Sequence, residues 1–547
     1  MPRYLPFAIV SLLVCVTLGW GGHSPWAILL LELGTVSLLL SVLLRVLWCT
    51  RPEERARNLE ERRARRGLPF AVRHPRLASV SHLLSLGLFP PRAGTAEVEI
   101  LLPGHSERHP ESFFFAGYEF KRAGLGVPLL LITVWMGASL LPLSETWTAR
   151  LSPQASEIRM AAQGLLLDGE SATVSPTTLS SFLTERGLCL WLAYIALFYV
   201  SVCVARNRRS VERLSWMLLM VGVAAGLYGI GQWLVGLQEL FGADPSDVGL
   251  RASGPFGNPN HYAASMEMLL LCSVGWIGAR IVGRTAAGRE TGVPRLATAV
   301  RQQSKAKLVL LGLGFTVICL GLVFSLSRSG IAAAVVAFAF FTVLADPRSP
   351  ASGPIEVAAE QRTRYAARRF LASAFVVVGI MIWFGTGVLA QRFAGVSELW
   401  EAEVGRQRVW SDSLQATSDF WLTGSGLGTF GQIFPIYRTF GGSISYTHAH
   451  NDYLQLLIEL GAPGLLLVLG LVVGVWRRAW RARQRLQGDR AALYMHAGYC
   501  SAAFAVALHS FTDFSLHLPA NAALLSVIVG IVVGLDPGSK GISPVRK

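Results

Sequence analysis

The stretch Tyr446-Thr-His-Ala-His-Asn-Asp-Tyr-Leu-Gln-Leu-Leu-Ile-Glu-Leu-Gly461 begins as a polar loop and runs directly into a hydrophobic segment that continues to about Val475. Such a segment is long enough to cross a bilayer as a helix, and Asn451 or Asp452 is suited to cap its first turn. The start of the helix offers free N–H groups and the positive end of a dipole, where an anion could bind. Alternatively, these polar residues only mark the interface at which a membrane span begins.

The composition is that of a polytopic membrane protein. Of the 547 residues, 52% are hydrophobic and 15% are charged, and the net charge is +15. In a soluble domain this charge would suggest nucleic acid, but here the basic residues cluster in alternate loops, as the positive-inside rule requires. The 7 cysteines lie in or beside apolar runs without metal-like spacing, so neither a disulfide framework nor a zinc site is indicated. We therefore expect membrane lipids around the protein, and neither nucleic acid nor a cofactor.

The apolar runs predict an all-α, polytopic integral membrane protein of about 12 transmembrane helices with both termini inside. The main membrane domain contains a long outer loop over 391–452, within which Glu398–Asp419 has a helical pattern. The arginine-rich loop before the third span is interpreted as a solvated topology anchor, with a docking site for a partner as the alternative. The predicted order is an N-terminal transmembrane hairpin (1–48), a basic cytoplasmic loop (49–124), a third span with an outer loop (125–189), the main membrane domain (190–535) and a cytoplasmic tail (536–547).

Polar residues with useful chemistry collect on the predicted outer face. Topology disfavours arginine on this side, so each arginine that remains there needs a reason. A guanidinium suits phosphate or pyrophosphate, and a histidine near neutral pH can accept a proton from a sugar hydroxyl. The set therefore indicates a phosphate-bearing substrate and proton abstraction. Its members are Arg251, Asn258, Asn260, His261, Arg328, Arg406, Arg408, Tyr437, Arg438, His448, His450, Asp513 and His517.

Structural roles remain as alternatives for several of these residues. Arg328 could reach lipid headgroups with its long side chain. Asn258 and Asn260 could cap the helix that follows them instead of binding a ligand. Glu459, which lies within a predicted span, is interpreted as a structural or orienting residue. The histidines interpreted as ordinary loop or interfacial residues are His448, His509 and His517.

Six short motifs resemble, in order and in membrane side, those of the O-antigen ligase and O-antigen polymerase family. The resemblance covers about 190–535 and leaves the first part of the chain as an addition to the usual family plan. The motifs are Gly257-Asn-Pro-Asn-His261, Ser327-Arg-Ser-Gly330, Arg408-Val-Trp410, Gly424-Ser-Gly-Leu-Gly-Thr-Phe430, His450-Asn-Asp-Tyr-Leu with Gly461, and His509-Ser-Phe with Asn521.

The resemblance implies a GT-C-like, inverting and metal-independent glycosyltransferase at the periplasmic face of the bacterial inner membrane. Its donor would be a glycan on undecaprenyl diphosphate. The acceptor would be a lipid A core sugar for a ligase, or a second lipid-linked glycan for an O-antigen or exopolysaccharide polymerase. The sequence does not decide between these two activities.

The family's functional residues map onto individual positions of this chain. Outer-face arginines hold the diphosphate in the family, and a loop histidine helps to activate the acceptor hydroxyl. The resemblance thus implies His450, Arg328 and Arg408 as catalytic residues and no metal ligand. The expected substrate-binding residues are Arg406, Arg251, Asn258, Asn260, Tyr437, Arg438, Asn451 and Asp452.

Two other classes of function compete with this interpretation. A transporter or flippase of lipid-linked glycans would carry its polar groups along a path through both leaflets, often in repeated halves. The polar cluster here is predicted on one face, and no repeat relates the two halves. A non-catalytic protein of envelope polysaccharide assembly is the third possibility, and the basic loop would suit that role.

Overall fold

The protein is almost entirely helical wherever the structure, a computed structural model, describes it. The described residues are 4–18, 24–48, 112–115, 118–121, 124–164, 174–235, 251–287, 305–346, 396–441 and 445–536. The predicted all-α, polytopic class is confirmed.

The described helices and strands are numbered here in chain order. The helices are α1 (Leu5–Leu18), α2 (Pro25–Trp48), α3 (Gly126–Ala138), α4 (Glu145–Leu151), α5 (Pro153–Gly164), α6 (Ser181–Ala205), α7 (Arg208–Val235), α8 (Pro259–Ala287), α9 (Lys305–Phe324), α10 (Arg328–Leu344), α11 (Val396–Asp419), α12 (Phe430–Tyr437), α13 (Asp452–Arg485), α14 (Arg490–His509) and α15 (Pro519–Gly534). Two short antiparallel pairs accompany them, β1 (Ser112–Phe115) with β2 (Tyr118–Lys121) and β3 (Leu143–Ser144) with β4 (Val174–Ser175).

Eleven predicted spans coincide with apolar helices. Of these helices, 6 are long and apolar enough to cross a membrane, namely α2, α6, α7, α8, α13 and α14, and the shorter apolar helices are α1, α3, α9, α10 and α15. The predicted ninth span, about 370–390, lies outside the described residues. The total of about 12 spans therefore stays a prediction.

The chain divides into two units, one formed by residues 1–38 and 125–547 and the other by residues 39–124. Within the smaller unit the structure describes the end of α2 and the hairpin of β1 and β2, in which Ser112 lies opposite Lys121. Most of the predicted basic loop lies outside the described residues. The elements discussed below belong to the larger unit.

Helices α8 and α14 pack backbone to backbone because both carry glycine at the crossing. A Cβ atom added to Gly275 would lie 2.7 Å from the Cα of Gly498, so no side chain fits between the two helices. The apolar part of α8 is 83% buried. This close packing places the first turns of α8, which carry His261 and Glu267, beside the end of α14 at His509.

Helix α13 is broken at Gly461, whose φ of 68° and ψ of 177° are not helical. The break leaves carbonyl groups without helical partners, and neighbouring segments supply donors for them. The indole Nε1 of Trp135 donates to the carbonyl of Leu460 at 2.8 Å. The backbone N–H groups of Ser425 and Gly426 donate to the carbonyls of Ile458 and Glu459, at 2.9 and 3.0 Å. The first part of α13 is therefore hydrogen-bonded to the glycine-rich segment, Gly424–Phe430.

The part of the chain that is predicted to lie outside has its own hydrophobic core, called here the outer core. It forms where α11, α12 and the start of α13 pack together, so the helix predicted over Glu398–Asp419 is confirmed as part of α11. The core side chains are Ala155, Val409, Ala416, Phe420, Phe430, Ile433, Phe434, Tyr437, Ala449 and Ile458. Since Ala449 precedes His450, this core supports the histidine loop directly.

Candidate functional site

Asn451 caps the first turn of α13. Its Oδ1 accepts hydrogen bonds from the backbone N–H groups of Tyr453 and Leu454, at 3.0 and 3.1 Å. Of the two residues predicted as possible caps, Asn451 performs this role. Asp452 instead faces the segment after α14, where its Oδ1 lies 2.7 Å from Nδ1 of His517.

His450 lies in a turn that is held from several sides. Its φ is +51°, a left-handed conformation that side chains other than glycine rarely adopt. The preceding residue, Ala449, is held through both of its backbone groups. Its carbonyl accepts from Nε1 of Trp410 at 2.9 Å, and the N–H of Ala449 donates to Oε1 of Gln455 at 3.2 Å. A strained backbone that its surroundings hold in place is typical of functional positions.

The Nδ1 atom of His450 faces a buried carboxylate. It lies 3.8 Å from Oδ1 of Asp513, and the side chains of the two residues are 27% and 1% exposed. The Nε2 atom of His261 approaches the same oxygen to 3.7 Å. Both distances are too long for hydrogen bonds but short enough for strong electrostatic attraction when an imidazole is protonated.

Asp513 is held as a carboxylate by these histidines. Burial alone would raise its pKa, but the close imidazoles of His261 and His450, together with the charge of His509, outweigh burial and hold the pKa well below its usual range. Its Oδ2 atom has no hydrogen-bond partner among the described residues. Asp513 is therefore a fixed negative charge behind His450.

Aromatic and imidazole rings enclose the site around Phe514. His448 stacks on this ring at 4.2 Å between centroids, and His261 and His450 meet it edge-on at 4.5 and 4.9 Å. The sequence interpretation gave His448 a loop role and His517 an interfacial role, and it did not predict the stacking of His448 on Phe514. The signal that could have found it was the concentration of histidines in the outer-face set.

Arg328 is the first residue of α10 and follows a tight turn. The turn places Leu326 at a φ of +51°, and the Oγ of Ser327 caps the helix by accepting from the N–H of Gly330 at 3.3 Å. The side chain of Arg328 is half-buried and makes no hydrogen bond or ion pair with any residue that the structure describes.

A small polar network supports this turn. Arg251 donates from Nε to the carbonyl of Ser325 at 3.0 Å and from Nη2 to Oδ1 of Asn260 at 3.1 Å. The Oδ1 of Asn258 accepts from the N–H of Asn260 at 2.8 Å, as a residue that starts α8 would. These side chains connect the start of α8 with the turn that presents Arg328.

The remaining predicted residues lie on α11, on α12 or directly after α12. Along α11, Arg406 is half-buried and Arg408 is exposed. Tyr437 is buried and donates its hydroxyl to Asp419 at 2.8 Å, which commits it to the outer core. Arg438 lies over the rings of Phe440 and Tyr446, at 4.7 and 5.5 Å from their centroids.

Glu459 joins the glycine-rich segment to the histidine loop. Its carboxylate accepts from the N–H groups of Gly428 and Phe430, at 2.8 and 3.3 Å, and from Gln455 Nε2 at 2.9 Å. Gln455 in turn holds the backbone of Ala449. These contacts agree with the structural or orienting role predicted for Glu459.

The structure thus brings His450, Asn451 and Asp452 together with Asp513, and links them to the Arg328 turn through the starts of α8 and α10 and the end of α14. In the described part of the chain, no group of three or more His, Cys, Asp or Glu side chains has the geometry of a metal site.

Part of the chain is similar to a known protein family. Residues 313–469, from α9 to the middle of α13, match the family model described as O-Antigen ligase. No curated protein matches the chain. The matched segment contains Arg328, Arg408 and His450, and together with the apolar helices it indicates a multi-pass membrane protein with a glycosyltransferase-type role in polysaccharide assembly. Residues 313–469 of the chain are thus similar to the O-antigen ligase family.

Proposed function

We propose that this protein moves a glycan from undecaprenyl diphosphate to a sugar acceptor at the periplasmic face of the bacterial inner membrane, as an inverting and metal-independent glycosyltransferase. The observation that carries the proposal is the pairing of His450 with the buried carboxylate of Asp513. A neutral histidine next to a fixed negative charge is a general base, because the charge stabilises the imidazolium that forms.

Proton transfer follows from the orientation of the ring. Since Nδ1 of His450 faces Asp513, Nε2 is the nitrogen left to accept the proton of the acceptor hydroxyl. The oxygen then attacks the anomeric carbon from the face opposite the diphosphate, and the bond to the diphosphate breaks. General base catalysis of this kind contributes about 10²- to 10⁴-fold to rate.

Arg328 is suited to the leaving diphosphate. It is half-buried, makes no contact with a described carboxylate, and stands at the start of α10, where the helix dipole also favours an anion. Arg408 and Arg406 on α11 are the further cations proposed to bind the donor, while Arg251, Asn258 and Asn260 support the turn. Removing one such charge typically costs about 2.7–4 kcal/mol of barrier.

The remaining predicted binding residues have supporting roles in this proposal. Asn451 and Asp452 orient the start of α13, and Tyr437 and Arg438 shape the outer core. The acceptor, a lipid A core sugar or a second lipid-linked glycan, would enter on the exposed side of His450.

Complementation of a strain that lacks the gene tests the proposal. The variants His450→Asn, Arg328→Ala and Arg408→Ala should reach the membrane at wild-type levels, lose the surface glycan and accumulate undecaprenyl-linked glycan. The matched control is Arg213→Ala, an exposed arginine of α7, which should behave as wild type.

The product pattern then separates the two activities. Loss of the whole ladder on the lipid A core would indicate a ligase, whereas single repeats without long chains would indicate a polymerase. Wild-type glycan from all three site variants would contradict the proposal and favour a non-catalytic role in assembly.

A further inference from the structure

Next to the Arg328 turn, three side chains on three helices form a continuous series, which begins at a fully buried carboxylate and ends at the partly exposed Ser329. Nδ1 of His509 lies 3.4 Å from Oε1 of Glu267, and both side chains are 0% exposed. On the other side of the ring, Nε2 of His509 lies 3.1 Å from Oγ of Ser329. The series therefore runs from the interior of α8, through the end of α14, to the first turn of α10.

We propose that Glu267 and His509 hold the hydroxyl of Ser329 as a hydrogen-bond donor to the leaving diphosphate, next to Arg328. This inference rests on the proposed function. Ser329 would touch the substrate, while Glu267 and His509 act through it as positioning residues.

The direction of the hydrogen bonds carries the argument. A buried carboxylate must be paired, and His509 is the partner that Glu267 has among the described residues. With the proton on the histidine, Nδ1–H donates to Glu267 and Nε2–H donates to the oxygen of Ser329. The serine oxygen is then occupied as an acceptor, so its own O–H is free to donate to a phosphate oxygen.

The charges around His509 favour this protonated arrangement. Glu267 faces it from α8, and Asp513 faces it from the segment after α14, since the charge of His509 contributes to the low pKa of Asp513. Arg328, one residue from Ser329, is the opposing positive charge. A diphosphate bound to Arg328 would bring further negative charge to the same turn and would favour the protonated histidine.

Local packing places Ser329 for this role. Gly330 follows it, and a Cβ atom there would lie 3.2 Å from Cε1 of His509, so glycine allows the imidazole to approach the turn closely. When Nε2 of His509 carries a proton and cannot accept, the acceptor that the described residues offer the serine hydroxyl is Oγ of Ser327 at 3.5 Å. That distance is at the limit of a hydrogen bond, and Ser327 already caps the helix.

Steady-state kinetics of the full-length protein in lipid nanodiscs, with an undecaprenyl-diphosphate glycan as donor, tests the inference. Ser329→Ala should raise the KM for the donor about tenfold or more, as loss of a hydrogen bond to a charged group does, and leave the KM for the acceptor unchanged. Ser329→Thr, which keeps the hydroxyl, should restore donor binding.

A double-mutant cycle distinguishes the relay from simple structural support. Glu267→Gln should raise the donor KM as Ser329→Ala does, and the double variant should be no worse than either single variant, because all three break one series. Additive effects, or an unchanged donor KM in Ser329→Ala, would overturn the relay. If Glu267→Gln does not accumulate, His509→Gln completes the same cycle.

The outcome is separable from that of the proposed function. Wild-type kinetics in the relay variants, with His450→Asn and Arg328→Ala inactive, would remove the inference and leave the glycosyltransferase proposal standing. Wild-type activity in Ser329→Ala, Glu267→Gln, His450→Asn and Arg328→Ala alike would remove both.

Discussion

At the scale of single residues, the left-handed backbone of His450 and its buried neighbour Asp513 decide how the site can be tested. Such a conformation costs about 1–3 kcal/mol in most residues, and asparagine tolerates it better than alanine. A substitution by alanine therefore changes both the chemistry and the backbone. A substitution by asparagine mainly removes the base.

We expect His450→Asn to lower the transfer rate by about 10²- to 10⁴-fold while the apparent Tm stays close to that of wild type. His450→Ala should show the same loss of rate together with a lower Tm, because alanine is less stable than asparagine in this left-handed conformation. Glycan transfer and thermal unfolding of the purified protein are the measurements. A His450→Asn variant with wild-type turnover would exclude this histidine as the base.

Asp513→Asn should reduce both rate and stability. The folded protein holds the pKa of Asp513 below its unfolded value, so the carboxylate adds stability above about pH 4, and this contribution is lost as the pH falls through the folded pKa. Wild type should therefore be more stable than the variant at pH 7, with the difference shrinking toward pH 3. Unfolding midpoints across that range provide the check, and a difference that grows at low pH would contradict the assignment.

His517 should give the opposite pH dependence. Burial alone lowers its pKa, but its hydrogen bond to Asp452 at 2.7 Å outweighs burial and raises it. The charged pair then adds about 1.5–3 kcal/mol below the unfolded pKa of about 6.5, and this stability is lost as the pH rises through the folded pKa. The Tm gap between wild type and His517→Gln should be larger at pH 6 than at pH 9. Equal gaps would show that His517 contributes packing alone.

At the scale of elements, the broken helix α13 and the glycine-rich segment behave as one piece. The carboxylate of Glu459 receives two backbone N–H groups of that segment and the amide of Gln455. A Cβ atom on Gly424 would overlap the carbonyl of Glu459. The glycines are therefore needed for contact between backbones within the protein.

Glu459→Gln should weaken this piece, since an amide NH₂ would face donors where the carboxylate accepted hydrogen bonds. We expect a loss of about 1–3 kcal/mol in stability and less protein in the membrane. The exposed Glu185 of α6 offers the matched control, and Glu185→Gln should have no effect. Limited proteolysis of the outer loop would report the change, and a wild-type cleavage pattern would contradict it.

Local signals in the sequence predicted the elements better than their contacts. Hydropathy found the spans, and the Asn451 cap and the helix α11 follow from neighbouring residues. The break at Gly461 was hidden, because the apolar run continues through it and only tertiary donors such as Trp135 make it stable. Likewise, the pairing of His450 with Asp513 depends on how the start of α13 packs against the segment after α14, where the N–H of Asp452 donates to the carbonyl of Ser510 at 2.9 Å. No spacing along the chain encodes this contact.

At the scale of the whole molecule, the polar residues of the candidate site and the arginine-rich loops are predicted to lie on opposite sides of the membrane. The histidine and carboxylate cluster occupies the loops predicted outside, and the arginine-rich connections those predicted inside. A glycosyltransferase needs its site open to one side, whereas a flippase must expose its polar path to both in turn.

Cysteine labelling tests this separation. In a background without native cysteines, Gln432→Cys on α12 should react with a membrane-impermeant thiol reagent in intact spheroplasts. Arg209→Cys on α7 should react only after permeabilisation; both positions are exposed. Labelling of Arg209→Cys in intact spheroplasts would contradict the predicted topology.

The break at Gly461 also has a consequence for the surrounding lipid. Beyond it, the apolar part of α13 from Ala462 to Trp476 is about 22 Å long at about 1.5 Å per residue, shorter than a hydrocarbon core of about 30 Å. Several neighbouring apolar helices are short as well. A bilayer adapts to such a mismatch by thinning locally, so the headgroups of the outer leaflet should dip toward the protein here, and a substrate anchored in that leaflet would already travel at the depth of the site.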